Sequence, residues 1–186
     1  MKGTTFSEAL LFLKKNIQQP LVNASFVPSS PAAARAMLQS IDFSRIKTVV
    51  ELGPGTGPYT QAILERASSG CKVVVIEIDP DYVKLLREKF GERIILVHAG
   101  AENFEKILRK HGIEKPDLII SALPFLPLEQ RKILVESIRK FTQAGSIFRF
   151  EMIVRWWGFK AYGSLPIRKI ARVWRCIPPM WIYGIN

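Results

Sequence analysis

The chain is poor in cysteine, in histidine and in acidic residues. Its 186 residues include 2 Cys, 2 His and 16 Asp plus Glu, against 27 Lys plus Arg. Because the two cysteines show no repeated spacing, they predict reduced thiols and weigh against a disulfide framework or a zinc site, and no metal is expected. The hydrophobic fraction of 48% fits one globular domain with a substantial core, and the length excludes two large domains.

Long hydrophobic runs are also missing. No apolar segment approaches the roughly 20 residues that a membrane-spanning helix needs. The first residues lack the uninterrupted apolar segment and the small-residue cleavage site of a secretory signal. Together these absences favour a cytoplasmic protein.

The excess positive charge lies at the two ends of the chain. Residues 149–186 hold seven basic side chains and one acid, Glu151, whereas the middle of the chain is nearly neutral. Aromatic residues are interleaved with the basic ones in that stretch. The pattern favours an anionic partner, either a phosphate-rich membrane surface or nucleic acid, over a basic surface that serves only solubility.

Residues 1–20 predict an amphipathic helix that ends before Pro20. Thr5 and Glu8 have the spacing of a capping box, and apolar residues follow at helical period. Such a helix either packs on the core or lies in a membrane interface as an anchor, and the pattern favours neither. Residues 21–186 then form a single domain.

Strand-like runs alternate with helical patterns from residue 48 onward. The predicted strands are 48–52, 72–78, 93–97, 117–120 and 146–152, and the predicted helices are 32–40, 60–67, 81–90, 103–111 and 128–141. This alternation predicts a parallel sheet with helices on both faces, which is a doubly wound α/β fold. Two more strand-like runs, 170–176 and 181–185, are too close for a crossover helix and predict an antiparallel pair at the sheet edge.

A glycine-rich loop, Glu51-Leu52-Gly53-Pro54-Gly55-Thr56-Gly57, begins at the carboxyl end of the first predicted strand. Open α/β sheets bind their ligands at this position. The spacing lacks the third glycine of a dinucleotide fingerprint, and no Gly-Lys-Ser/Thr of a Walker loop follows. Nicotinamide and nucleotide-triphosphate cofactors are therefore disfavoured. A tight turn without a ligand is the plain alternative.

The loop resembles motif I of class I S-adenosylmethionine-dependent methyltransferases, and the element order is similar over most of the chain. The resemblance implies a Rossmann-like seven-stranded sheet and S-adenosylmethionine as cofactor. It assigns the cofactor's methionine portion to the loop, with contacts from Glu51, Gly53, Pro54, Gly55, Thr56 and Gly57.

The same resemblance implies that an acid ending the second strand holds the cofactor's ribose hydroxyls. Glu77 takes that place, with Ile78 beside it and Asp79 as the second choice. A carboxylate suits the role because it can accept both hydroxyl protons. Near the adenine the family usually has an acid after the third strand, where this chain has Ala101, and Glu102 substitutes from the next position.

Ser121, which ends the fourth predicted strand, is a further expected cofactor contact and opens the segment Ser121-Ala122-Leu123-Pro124-Phe125. This superfamily reads its substrate there, and its adenine methyltransferases carry Asn or Asp in place of the serine. A hydroxyl cannot supply the paired geometry of that side chain. The ribosomal RNA adenine dimethyltransferases are otherwise similar in the 51–57 and 76–79 segments, but they carry a helical C-terminal domain for which this chain has no room.

Bacterial phospholipid N-methyltransferases are the better match. They are similar in a Ser-x-Leu-Pro segment after the fourth strand, in the Val27-Pro28-Ser29-Ser30 region and in the 172–181 region, so that the match runs from about residue 20 to the end. The resemblance implies methylation of phosphatidylethanolamine toward phosphatidylcholine. It also implies an enzyme bound peripherally to the inner face of the membrane.

The stretch Arg155-Trp156-Trp157-Gly158-Phe159-Lys160-Ala161-Tyr162 suits such a substrate. Aromatic faces attract methylated ammonium groups, and Arg155 or Lys160 can pair with a head-group phosphate. A core aromatic cluster with a basic rim is the alternative interpretation. The substrate contacts that we expect are Leu123, Pro124, Phe125, Arg155, Trp156, Trp157 and Lys160.

The implied reaction is direct displacement of the sulfonium methyl group by a neutral amine. No histidine lies in the substrate segments, so no general base is assigned. Tyr59 and Tyr162 are the candidates for a catalytic contact with the amine. Two other functions stay open, namely an RNA adenine N-methyltransferase and a membrane-associated protein that binds the cofactor without turnover.

Overall fold

The computed structural model describes residues 30–123, 126–152, 162, 164–174 and 179–186. Several predicted features lie outside the described residues. These are the helix 1–20, the substrate residues Pro124, Phe125, Arg155, Trp156, Trp157 and Lys160, and Cys176.

One seven-stranded sheet organises the described chain. Its strands are β1 (Thr48–Leu52), β2 (Lys72–Glu77), β3 (Ile95–His98), β4 (Leu118–Ser121), β5 (Ile147–Met152), β6 (Arg168–Val173) and β7 (Met180–Ile185). They lie in the order β3-β2-β1-β4-β5-β7-β6. Strands β1 to β5 run parallel, and β7 is antiparallel to both β5 and β6.

Five described α-helices flank the strands. They are α1 (Pro31–Met37), α2 (Pro58–Leu64), α3 (Pro80–Phe90), α4 (Phe104–Lys110) and α5 (Leu128–Gln143). The first three begin with proline, which suits the first helical position because its fixed φ is already helical and no N–H is lost. In the described part of the chain, no helix combines the length and the apolar run that crossing a membrane requires.

The core lies on both faces of the sheet. Successive residues of β1, such as Val49 and Val50, are fully buried but belong to two separate clusters, because their side chains point to opposite faces of the sheet. The cluster on the α1–α3 face includes Met37 and Leu86, and the cluster on the α4–α5 face includes Phe104 and Leu134. A sheet covered on both faces confirms the predicted doubly wound fold.

The predicted C-terminal strand pair is also confirmed, since β6 and β7 are antiparallel and β6 forms the edge of the sheet. The third strand begins at Ile95, two residues later than predicted, because Gly91–Arg93 forms a 3-10 helix. The sixth begins at Arg168, two residues earlier than predicted.

The topology brings the ends of several elements to one edge of the sheet. The carboxyl ends of β1 to β5 share this edge because these strands are parallel. Strand β6 ends there too, since Val173 is paired with Met180 at the start of β7, and Trp181 is paired with Met152 at the end of β5. We call this side of the sheet the carboxyl edge.

A buried acid in β1 is one exception to the apolar core. Glu51 is 0% exposed, and the hydroxyl group of Thr60 donates to its Oε2 at 2.6 Å. Its Oε1 has no hydrogen-bond partner among the residues described. Burial raises the pKa of Glu51 from 4.5 to about 8, with smaller contributions from the charges of Glu77 and Glu151. Glu51 is therefore protonated at neutral pH.

This burial predicts a pH-dependent stability. Between pH 4.5 and about 8 the folded state holds a proton on Glu51 that the unfolded state has released, so stability should fall as the pH rises through this window. The contribution approaches about 1.4 kcal/mol per pH unit. Glu51→Gln should remove it, as measured by the free energy of unfolding in urea at several pH values. The exposed Glu88→Gln is the matched control, and equal slopes for wild type and Glu51→Gln would contradict the prediction.

Candidate cofactor and substrate site

The glycine loop occupies the carboxyl edge between β1 and α2. Gly53, Gly55 and Gly57 have φ values of +69°, +57° and +82°, which residues with a side chain rarely adopt. The N–H of Gly53 donates to the carbonyl of Ile76 at 3.0 Å, and that of Gly57 donates to the carbonyl of Pro54 at 2.9 Å. The alternating glycines therefore let the chain turn sharply while it stays attached to β2.

The three glycines differ in what lies beside them. A Cβ at Gly53 would meet Leu123 Cδ2 at 2.5 Å, and one at Gly57 would meet Phe90 Cε2 at 2.6 Å. At Gly55 a Cβ would meet nothing within 4 Å. A side chain at Gly53 or Gly57 would have to displace Leu123 or Phe90, whereas the backbone at Gly55 faces open space that a ligand can approach.

The remaining loop residues hold the backbone in place. Pro54 is buried and accepts the hydrogen bond that closes the turn. Thr56 is 5% exposed, and the ammonium group of Lys89 donates to its carbonyl at 3.1 Å. Of the predicted substrate residues, Leu123 is half-buried against the loop.

Glu77 ties the loop to the end of β2. Its Oε2 accepts from the N–H of Gly55 at 3.1 Å, and its Oε1 accepts from the N–H groups of Ile78 at 2.8 Å and Asp79 at 2.9 Å. Burial raises the pKa of Glu77 although these three bonds favour the charged form. A carboxylate has about four acceptor positions, so one on Oε2 is left for a hydroxyl donor.

The residues near Glu77 differ in exposure. Ile78, directly after the acid, is 63% exposed and offers an apolar surface at the carboxyl edge. Ala101 is 6% exposed and belongs to the core of the α4–α5 face. Glu102 is half-buried and folds back over Gly100, and its Oε1 accepts from Nδ2 of Asn103 at 2.9 Å. Glu102 is thus the acid that the structure brings to the end of β3.

Ser121 and Tyr162 are brought together at the end of β4. Their hydroxyl oxygens are 3.1 Å apart, and both side chains are buried. The Tyr162 ring packs against Phe148 and Phe150, with centroid distances of 5.4 and 4.5 Å. Burial raises the pKa of Tyr162 to about 12, so its hydroxyl group is neutral at physiological pH.

Tyr59 lies on the other face of the sheet from Tyr162. It is 1% exposed in the cluster of the α1–α3 face, and its hydroxyl group donates to the carboxylate of Glu151. Met180 Sδ lies 3.9 Å from the same hydroxyl group. The structure therefore does not bring the two tyrosines together at one amine position.

Sequence reasoning did not identify the partnership between Glu151 and Tyr59. An acid in a strand that is mostly apolar is the signal that marks such a residue, because a half-buried carboxylate requires a hydrogen-bond donor. Within the described ranges, no three His, Cys, Asp or Glu side chains form a group that could hold a metal ion.

The arrangement fits an adenosine-containing cofactor with a methionine portion. Glu77 keeps an acceptor position for a ribose hydroxyl, and the exposed Ile78 can pack against a flat base. The open backbone at Gly55 allows close approach of a ligand. These three features lie along one edge and match the parts of S-adenosylmethionine.

Comparison with known proteins agrees with this geometry. A family model described as ribosomal RNA adenine dimethylase matches residues 25–135. The ornithine lipid N-methyltransferase of Singulisphaera acidiphila is 36% identical over 142 residues, which cover 74% of each chain. The ribosomal RNA small subunit methyltransferase A of a Synechococcus species is 29% identical over 154 residues, which cover 74% of this chain but 51% of that protein.

The chain thus spans about half the length of this RNA methyltransferase. Among solved structures, an O-methyltransferase from Bacillus cereus in complex with SAH has the same fold, with a TM-score of 0.64 and 14% identity. The match covers 98% of this chain and 92% of that one. The family model and the 36% identical relative show that the chain belongs to the ribosomal RNA adenine dimethylase family of S-adenosylmethionine-dependent methyltransferases.

Proposed function

We propose that this methyltransferase transfers the methyl group of S-adenosylmethionine to the amine nitrogen of a lipid head group. The observation that carries the proposal is the 36% identity with an ornithine lipid N-methyltransferase over 74% of both chains. The match to the Synechococcus RNA methyltransferase is weaker and leaves about half of that protein uncovered.

The end of β4 supports a lipid amine over adenine. Ser121 stands where an adenine methyltransferase presents a planar amide or a carboxylate, and its hydroxyl group is already paired with Tyr162. A hydroxyl pair offers one free proton and several lone pairs, but not the fixed donor and acceptor pattern that an adenine edge requires. A tetrahedral amine needs only an acceptor for its N–H groups, which this pair supplies.

The same residues bear on how the amine loses its proton. The attacking nitrogen must be neutral, so an alkylammonium group first loses a proton. Tyr162 cannot accept this proton, because its pKa of about 12 keeps the hydroxyl group protonated at physiological pH. We infer that the proton leaves to water before the amine binds, and that the Ser121–Tyr162 pair then holds and orients the nitrogen. Positioning and exclusion of water supply the rate enhancement.

We further propose phosphatidylethanolamine as the acceptor, methylated toward phosphatidylcholine, with the enzyme peripheral on the inner face of the membrane. The ornithine lipid acceptor that the relative's name gives is the second choice. Both are primary amines on lipids at a membrane surface. The net charge of +11 supports binding to anionic membranes.

An RNA adenine methyltransferase is the second candidate function. It is supported by the name of the family model and by the net charge of +11. Binding through phosphates predicts activity on ribosomal RNA that falls steeply with salt.

Glu77→Ala should weaken S-adenosylmethionine binding by roughly ten- to a hundredfold, because it removes a charged acceptor and leaves the Gly55 N–H without its partner. Isothermal titration calorimetry measures the effect directly. Glu88→Ala, which removes an exposed carboxylate from α3, is the matched control and should bind like wild type. Unchanged affinity in Glu77→Ala would contradict the assignment of the cofactor site.

The substrate is tested with methyl-labelled S-adenosylmethionine offered to ribosomal RNA and to vesicles that contain phosphatidylethanolamine or ornithine lipid. Label should enter the lipid, and the number of labelled methyl groups identifies the products. Tyr162→Phe should lower kcat about tenfold or more while cofactor affinity stays unchanged, because the proposed amine contact is lost together with the hydroxyl partner of Ser121. Label in RNA alone, or in no acceptor despite cofactor binding, would refute the lipid proposal.

A further inference from the structure

Two tryptophans and an arginine form a stacked group at the end of the β6–β7 hairpin. The guanidinium carbon of Arg172 lies 3.4 Å from the ring centroid of Trp174 and 5.1 Å from that of Trp181. Trp174 is 66% exposed, whereas Trp181 is half-buried. We call these three residues the Trp-Arg-Trp cluster.

The topology places this cluster at the carboxyl edge. Arg172 is paired with Trp181 across the hairpin, and Trp174 directly follows the end of β6. Trp181 also packs against the hydrophobic cluster of the α4–α5 face, to which Tyr162 belongs. The two rings therefore lie at the same edge of the sheet as the glycine loop, and Trp181 connects them by packing to the cluster that holds the proposed amine contact.

The composition of the cluster is unusual for a surface that is exposed to solvent and binds no partner. An indole ring left 66% exposed forgoes the free energy of apolar burial. Stacking holds the guanidinium group of Arg172 over the ring, and Arg172 forms no ion pair with any described residue. Tryptophan prefers the boundary between lipid head groups and acyl chains, and arginine pairs with phosphate while it stacks on an aromatic face.

We propose that the Trp-Arg-Trp cluster is a membrane anchor that sets the carboxyl edge of the sheet against an anionic phospholipid bilayer. In this arrangement Trp174 enters the head-group region and Arg172 pairs with lipid phosphate. The net charge of +11 is complementary to such a surface. The purpose of the anchor rests on the proposed lipid methylation, because it presents the methyl-transfer site to head groups that remain in the membrane.

A nucleic acid fits the cluster less well. Single-stranded nucleic acid stacks successive bases on several aromatic faces, whereas here Arg172 covers one face of Trp174 at 3.4 Å and Trp181 is half-buried, so that one open face remains. Insertion at a bilayer interface needs only the ring edge and the outer face. The membrane is therefore the partner to which we commit.

The anchor is tested by cosedimentation with vesicles of phosphatidylglycerol and phosphatidylcholine, and with vesicles of phosphatidylcholine alone. Trp174→Ala should lower the partition coefficient about tenfold on the mixed vesicles, since it removes an interfacial indole. Arg172→Gln should lower it several-fold on the mixed vesicles and leave weak binding to neutral vesicles unchanged.

Two matched controls separate the cluster from general effects of apolarity and charge. Ile133→Ala removes an apolar side chain that is 54% exposed on α5. Lys169→Gln removes an exposed cation near the opposite end of β6. Both should bind the mixed vesicles like wild type. Because Trp174 is exposed, its replacement should leave the circular dichroism spectrum and the melting temperature unchanged.

Failure of the anchor and failure of the proposed function give different results. Methyl transfer to lipid dispersed in detergent should be the same for wild type and Trp174→Ala, whereas transfer to lipid in vesicles should fall with the loss of binding. Absence of any lipid methylation by wild type would reject the proposed function, while release of Trp174→Ala from vesicles would still support the anchor. Equal vesicle binding by wild type and Trp174→Ala would overturn the anchor, as would Trp174-dependent binding to an RNA oligonucleotide without any effect on vesicles.

Discussion

The site depends on one carboxylate that holds two strand ends together. Glu77 ends β2 and accepts from Gly55 in the loop after β1 and from the two N–H groups that follow its own strand. These bonds fix the position of the glycine loop relative to the end of β2. The open backbone at Gly55 and the exposed Ile78 are consequently placed along one line at the carboxyl edge, where a long cofactor can contact both.

The two faces of the sheet contribute different chemistry to this edge. On the α4–α5 face the hydroxyl groups of Ser121 and Tyr162 are neutral and form the proposed amine contact. On the α1–α3 face Glu51 is buried and Tyr59 donates to Glu151. Neither hydroxyl group is charged at physiological pH, so the proposed reaction depends on orientation and desolvation of an already neutral nucleophile.

The fold and the cofactor loop were predictable from the sequence because their signals are local. Apolar runs, glycine spacing and the acid that ends β2 are all read within a few residues, and the parallel direction of the strands follows from the alternation of strands and helices. The pairing of Tyr59 with Glu151 was not predictable, since the two residues are 92 positions apart and meet only in the folded chain. The sequence also left open whether the side chain of Tyr162 points to the substrate or to the core, and the structure places its ring in the aromatic core.

We propose that the cofactor binds at the carboxyl edge beside Glu77. Hydrogen–deuterium exchange with and without S-adenosylhomocysteine tests this claim most directly, because a bound ligand slows the opening of the backbone that it contacts. We expect slower exchange in residues 53–57 and 77–79, and unchanged exchange in the exposed turns of the opposite edge. Saturating ligand that leaves exchange in both of these segments unchanged would contradict it.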